Sequence, residues 1–187
     1  MSVSYTGQLL VATPVLGDPN FARSVVLILD HDGDGALGVV VNRPTELPVT
    51  SVLAPWSSLV CRPEVLFQGG PVATDAALGL AELPDGVDGE PLGWRRLYGR
   101  IGLIDLDTPP ELITGAVRVV RVFAGYAGWS PGQLAGEIAE GAWACVPGTA
   151  EDVLSPAAGP VLWRRVMGRQ SGRLAVLSTA PADPSTN

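Results

Sequence analysis

Apolar and polar positions along this chain alternate in short blocks, and few apolar blocks are long enough for a helix. Ser24 to Leu29 is almost entirely Val, Ile and Leu, and its shortness reads as a strand buried on both faces. Ala36 to Val41 is again apolar and β-branched. The intervening Asp30-His31-Asp32-Gly33-Asp34-Gly35 is dense in turn residues, so the two runs predict a β-hairpin. Gly7 to Thr13 predicts a strand ending at Pro14, and Glu64 to Phe67 one that stops at Gln68-Gly69-Gly70-Pro71. Leu97 to Leu106 is strand-like. Val117 to Gly125 sets Val117, Val119 and Val122 against Arg118 and Arg121, the pattern of a strand with a partly solvated face. Ala76 to Leu83 is ambiguous, and Asp85 to Gly93 is a polar loop.

Helical signals are fewer. Pro131 to about Ala142 has Ser130 as N-cap, Pro131 at the first helical position and Gln133 completing a capping box; Trp129 and Leu134 stand where a hydrophobic staple belongs. Val161 to Arg169 reads as a second helix. Thr50 to Leu59 offers one or two turns, and Pro109 to Thr114 a short one. Residues 179–187, rich in Pro, Ser and Asp, read as a loose tail.

Composition narrows the picture. At 187 residues and 47% hydrophobic positions the chain fits one domain with a substantial core, 1–187. Glycine and proline, 23 and 17 residues, exceed the usual combined share of about 12% and imply many tight turns. The net charge is −7, and all twelve basic side chains are arginine. Without lysine there is neither a Schiff-base nucleophile nor a standard P-loop. The acidic balance argues against direct nucleic-acid binding, while a few arginines still suit a small anion. Cys61 and Cys145 with one histidine cannot furnish a Cys/His zinc site, so they read as small buried apolar residues, and no metal or cofactor is expected. Met1-Ser2-Val3-Ser4 lacks a charged segment leading into an apolar run, and stretches such as Val25–Leu29 are too short to span a bilayer. A cytoplasmic location without membrane attachment is the expectation.

Several motifs fail in context. Gly33-Asp34-Gly35-Ala36-Leu37-Gly38 has the dinucleotide-loop spacing but leads into Val39-Val40-Val41, a strand, where a helix N-terminus is required. Asp30, Asp32 and Asp34 begin like a calcium loop, yet the twelfth position is Val41, leaving at most weak adsorption. His31 is the one imidazole and a candidate general base. Ser24 and its neighbouring aspartates make a Ser–His–Asp arrangement conceivable, but no G-x-S-x-G elbow exists. Arg43 before Pro44 sits in extended backbone and with Asn42 presents donors suited to a carboxylate or phosphate. Gly69-Gly70 suits an amide nest, and Trp129 an aromatic wall. Each also has an ordinary structural explanation.

Taken together, Gly7-Gln8-Leu9-Leu10-Val11-Ala12-Thr13-Pro14, Asp18 to Val26, His31 to Pro44, Gly69-Gly70-Pro71-Val72 and Gly125 to Leu134 with Glu137 and Gly141-Ala142-Trp143 resemble the YqgE/AlgH family of bacterial proteins over about Gly7 to Gly168. The resemblance implies a single α+β domain with a curved, mostly antiparallel, partly barrel-like sheet and several packed helices. It implies no settled activity. The AlgH name carries an association with transcriptional control of alginate synthesis, without a recognised DNA-binding motif.

The expectation is a small-ligand-binding or regulatory module. Arg23, His31, Asn42, Arg43, Gly69, Gly70 and Trp129 would line one hollow that takes a small anionic ligand. The alternatives are a hydrolase or transferase with His31 as base, and a transcriptional regulator. A protein partner could dock on exposed apolar residues such as Trp56.

Overall fold

The computed structural model describes residues 3–157 and 159–181; of the expected loose tail, residues 182–187 lie outside them. The short apolar blocks pair into one ten-stranded sheet. Its strands are β1 (Gln8–Ala12), β2 (Val25–Asp32), β3 (Gly35–Val40), β4 (Pro44–Pro48), β5 (Val65–Gln68), β6 (Val72–Glu82), β7 (Trp94–Tyr98), β8 (Ile101–Ile104), β9 (Val119–Trp129) and β10 (Trp143–Pro147). The order is β10-β1-β2-β3-β9-β6-β8-β7, with β4 on β5 and β5 on β9. Pairings between these strands are antiparallel except β5 on β9. The sheet curls into a half-barrel accompanied by α1 (Gln133–Ala139), α2 (Ala150–Val153), α3 (Gly159–Gly168) and α4 (Arg173–Leu177), an α+β architecture. Among the described residues, no helix is long and apolar enough to cross a membrane.

The period of two explains how one strand serves two cores. Val25, Leu27 and Leu29 of β2 join Leu9, Val11 and the α3 residues Leu162, Trp163, Val166 and Met167 on one face. Val26 and Ile28 join Leu10, Trp129, Leu134 and Trp143 on the other. A third cluster holds Trp56, Trp94, Ile104, Val120 and Val122.

Strand β9 is the hub. Its end (Ala127–Trp129) pairs with β3, its middle with β5, and its length with β6. The chain leaving β5 wedges between β3 and β9: Val40 N–H donates to Gly69 O and Gly69 N–H to Ala124 O, each at 2.8 Å. A Cβ on Gly69 would lie 2.2 Å from Gly125 O, and one on Gly70 2.2 Å from the Tyr126 backbone. Gly125 itself has φ 73°. Only glycines let these backbones cross so closely.

Several expectations change. Leu97–Leu106 is not one strand but the junction of β7 and β8, which turn at Gly99 (φ 50°). All but the last residue of the ambiguous Ala76–Leu83 lies within β6, an eleven-residue strand held on both sides by β8 and β9. Helix α1 begins two residues late, after Gly132 (φ 75°). Half of the capping box forms, with the Ser130 N–H donating to Gln133 Oε1 at 3.0 Å. Arg121 does not face solvent: it is 1% exposed, lies 4.1 Å over the Phe67 ring, and donates to Ser155 O and Arg62 O at 2.6 Å each. Trp56 is no docking surface; it is buried, and its indole donates to Leu106 O at 3.1 Å. Cys61 and Cys145 are half-buried free thiols.

The crossing is testable. Gly70→Ala should cost of order 3 kcal/mol in chemical unfolding, because a new methyl must displace backbone rather than a flexible side chain. Gly128→Ala on the same β9, where a Cβ meets nothing closer than 4.0 Å, should change stability by less than about 0.5 kcal/mol. Equal effects of the two substitutions would contradict the wedge.

Candidate functional site

The predicted site residues do not share one hollow. Arg23, Asn42 and Arg43 stand where β2 begins and β3 ends; His31 stands at the far end of β2. Eight positions of extended chain separate Arg23 from His31, roughly 25 Å at about 3.3 Å per residue. Trp129 pairs through Ala36 with His31 at that far end. Its indole lies on the α1 face of the sheet, opposite the face that carries Trp163.

His31 Nδ1 accepts the Tyr5 N–H at 3.2 Å, and the ring tilts against Tyr5 at 5.0 Å between centroids. Trp129 is locked: its indole N–H (3.0 Å) and that of Trp143 (2.8 Å) both donate to Glu137 Oε2, and both rings pack against Phe21. Gly69 gives its N–H to Ala124 O, so that amide serves the strand crossing rather than an open anion nest.

The Arg23 end is different. Asn42 is 1% exposed and spends its whole carboxamide on backbone. Oδ1 accepts from Val25 N–H at 3.0 Å, and Nδ2 donates to Arg23 O at 3.0 Å and Gly159 O at 2.9 Å. The Gly159 N–H returns a bond to Asn42 O at 2.7 Å, pinning the start of α3 to the end of β3. Arg43 clamps the preceding loop by donating to Asn20 O and Ala22 O. Burial lowers its pKa, against the opposing pull of Asp18. Held in this way, Arg23 adopts a left-handed backbone (φ 54°), an uncommon state for a non-glycine residue that is often found where function has a use for it.

The Arg23 guanidinium lies 4.8 Å over the Trp163 ring, and its Nη2 donates to Ala180 O at 2.8 Å. Its Nη1 is buried and has no partner among the described residues. Burial, then the charge of Arg164, lowers the Arg23 pKa. The group lines a hollow of 240 Å³ with Ala12, Thr13, Leu16, Trp163 and Pro181. Trp163 turns its indole N–H away to Ala12 O at 2.7 Å, and Thr13 Oγ1 donates to Gly141 O at 2.6 Å. Among the described residues, Arg23 is therefore the one charged group lining a small, largely apolar chamber.

A second concavity, of 730 Å³, lies between the sheet and α2–α3 and escaped the sequence reading. Glu82 (2% exposed) accepts from Arg100 Nη2 at 3.0 Å and Arg118 Nε at 2.8 Å. Asp152 (0% exposed) takes two bonds from Arg169, at 2.7 and 2.6 Å, and accepts the Thr149 N–H at 3.1 Å in a capping box. Burial alone would raise the Asp152 pKa, but Arg169 and Thr149 outweigh it and hold the carboxyl below its ordinary value. Tyr98 donates to Thr149 O at 3.1 Å; burial first, then Asp152 and Glu82, push its ionisation up. The Thr149-x-x-Asp152 spacing was the signal available in the sequence.

The AlgH-like family (DUF179) matches residues 9–175. A UPF0301 protein from Streptomyces coelicolor is 58% identical over 186 residues, covering 98% of this chain and 96% of its own length. Another from Thermobifida fusca is 53% identical over 196 residues, covering 99% and 96%. Among solved structures, a protein from Corynebacterium diphtheriae matches with a TM-score of 0.87 at 36% identity, covering 96% of this chain and 94% of that one. The AlgH protein from Pseudomonas aeruginosa matches with a TM-score of 0.67 at 25% identity, covering 97% and 96%.

Asp152→Asn should cost about 2 kcal/mol at neutral pH, less than a fully buried pair because Arg169 is partly solvated. The native pKa is depressed, so the wild-type advantage is full above the unfolded aspartate value of about 3.9 and lost as pH falls through the lower native value. Urea unfolding of both proteins from about pH 6 to pH 2.5 should show their stabilities converging only in acid. A difference independent of pH would contradict the assignment.

Proposed function

The chain belongs to the AlgH-like family, and on that fold we propose that the hollow at Arg23 binds a small carboxylate, making the protein a ligand-binding module rather than an enzyme. The observation that supports this reading is the buried Arg23 Nη1, unpartnered among the described residues in a pocket that is otherwise largely apolar. Leaving a charged donor buried and unpaired is costly, and a carboxylate oxygen is the natural partner for a guanidinium fork. The 240 Å³ volume is below the range of drug-sized sites, so the ligand is a short-chain acid with its apolar end against Trp163 and Leu16.

Within this reading Arg23 contacts the ligand. Asn42 and Arg43 are positioning residues: the first holds the Arg23 carbonyl, the second the loop carrying Asn20 and Ala22. His31, Gly69, Gly70 and Trp129 stand outside the pocket. Ligand occupancy would be read by a partner as a change at the Ala180 segment, whose carbonyl now shares the guanidinium. The acidic net charge of −7 makes direct DNA contact the weaker route to any regulatory effect.

Thermal melts in acetate, propionate and butyrate at fixed ionic strength test this. At about 100 times Kd the linkage is about 2.7 kcal/mol, a rise in Tm of roughly 5–10 °C. The rise should vanish in Arg23→Ala, weaken in Arg43→Ala and persist in His31→Ala. An equal rise in wild type and Arg23→Ala would remove the proposal.

A further inference from the structure

The chain that follows α3 borders the Arg23 hollow without being built into the core. Every residue from 171 to 181 is at least partly exposed, and α4 buries none of its five. Leu174 and Leu177 pack only in part against the core cluster that holds Trp163, and Val176 is 70% exposed. Among the described residues, the one hydrogen bond tying this segment to the rest of the fold is the Arg23 Nη2 donation to Ala180 O at 2.8 Å. Its other bonds are internal: Ser178 N–H to Leu174 O, Thr179 N–H to Val176 O and Ala180 N–H to Leu177 O.

The segment also has open space beside it. Ala180 and Pro181 form part of the wall of the 240 Å³ hollow. Arg173, Leu174 and Leu177 line a further hollow, of 490 Å³, together with Glu140, Trp143 and Ala144. Thr13 and Pro14 line both, so the two hollows adjoin just past the end of β1, and residues 173–181 contribute to the wall of each. A helix bordering a void lacks partner atoms on that side and is held weakly there. Gly172 starts the segment at φ 65°, and a Cβ built on it would meet nothing within 4 Å, so the backbone can turn at this point without a clash.

We infer that residues 173–181 are a lid on the Arg23 hollow, hinged at Gly172 and latched by the Arg23–Ala180 bond. This rests on the carboxylate reading of that hollow and adds its gating. A guanidinium carries five N–H donors. Nη2 gives one to Ala180 O, while Nη1 is buried and without a partner among the described residues. One side chain can therefore hold the lid and an acid at once. An acid in the hollow lies against Ala180 and Pro181, so closure of the lid adds contacts to it and excludes water. Lifting the same residues removes that wall and admits the acid. Binding and closure then favour one another, because the closed state makes contacts with the acid that the open state lacks.

Amide hydrogen exchange of the full chain, with and without saturating propionate, tests the lid. The Ser178, Thr179 and Ala180 amides should exchange about tenfold more slowly with acid bound. Without acid, Arg23→Ala should make the same amides exchange faster than in wild type. Leu174→Ala and Leu177→Ala change residues that do not line the Arg23 hollow, yet each should weaken propionate binding about threefold and quicken its release. Val176→Ala, at an exposed position of the same helix, should change neither. The lid is overturned if saturating propionate moves the Trp163 indole N–H signal but leaves the three amides unchanged, or if both leucine variants bind propionate as wild type does. If one leucine variant fails to fold, the other variant and the wild-type exchange still decide. If propionate leaves the Trp163 signal unmoved at every concentration, the carboxylate reading fails instead. The ligand-free comparison of Arg23→Ala with wild type then decides the latch: equal exchange overturns it, and faster exchange in the variant upholds it.

Discussion

Two strands compete for one edge of β9, and the glycines at the crossing resolve the competition. Strand β3 takes the β9 edge at Ala127–Trp129 and β5 takes it at Phe123–Ala124. The chain between them must pass through a gap with no room for a side chain at Gly69, Gly70 or Gly125. With that passage made, β6 can pair along β9 and extend the sheet to β8 and β7, while β3 extends it to β2, β1 and β10. The two arms of the curled sheet therefore depend on a backbone contact. The Gly-Gly pair is a packing necessity first.

The helices are tied to this sheet chiefly by polar side chains reaching backbone. Asn42 pins the first residue of α3, Trp163 of α3 donates to Ala12 O, and Arg121 on β9 holds the Ser155 carbonyl before it. Such bonds stabilise only modestly in net terms but are costly to leave unmade in a buried setting, so they fix the helix position rather than merely adding to stability. Both concavities are by-products of that fixing. One lies where α3 meets the start of β2, the other where α2 and α3 face the ends of β6 and β8. In each, the positive charge comes from arginine, since the sequence contains no lysine.

The local features of the fold were legible in the sequence. The β2–β3 hairpin follows from β-branched runs around Asp-Gly turns, which are short-range signals. Strand β10 was not legible, because the helical signal was read through to about Ala142, although α1 ends at Ala139, and the strand exists through its pairing with β1. Arg121 misled: its charge suggested solvent, whereas its carbonyl partners come from loops 34 and 59 positions away. For the site, segments far apart along the chain were expected to meet in one hollow, and of these Arg23 and Asn42 do stand together, joined by the Asn42 Nδ2 bond to Arg23 O. A strand carries its two ends apart, and alternate residues face opposite sides, so His31 and Trp129 left the group. The Arg–Glu82 and Arg–Asp152 pairs join segments that no local pattern links.

In the proposed function, Arg23 and Trp163 enclose a chamber on one face of the sheet that receives a short-chain acid. This is tested most directly by titrating 15N-labelled protein with propionate and following the indole N–H signals of the five tryptophans. The Trp163 signal and the backbone amides of Thr13, Ala22 and Arg23 should move along one saturating curve. The Trp129 and Trp143 signals, held by Glu137 on the opposite face, should stay still. Movement centred on Trp129 and His31, with Trp163 unchanged, would contradict it.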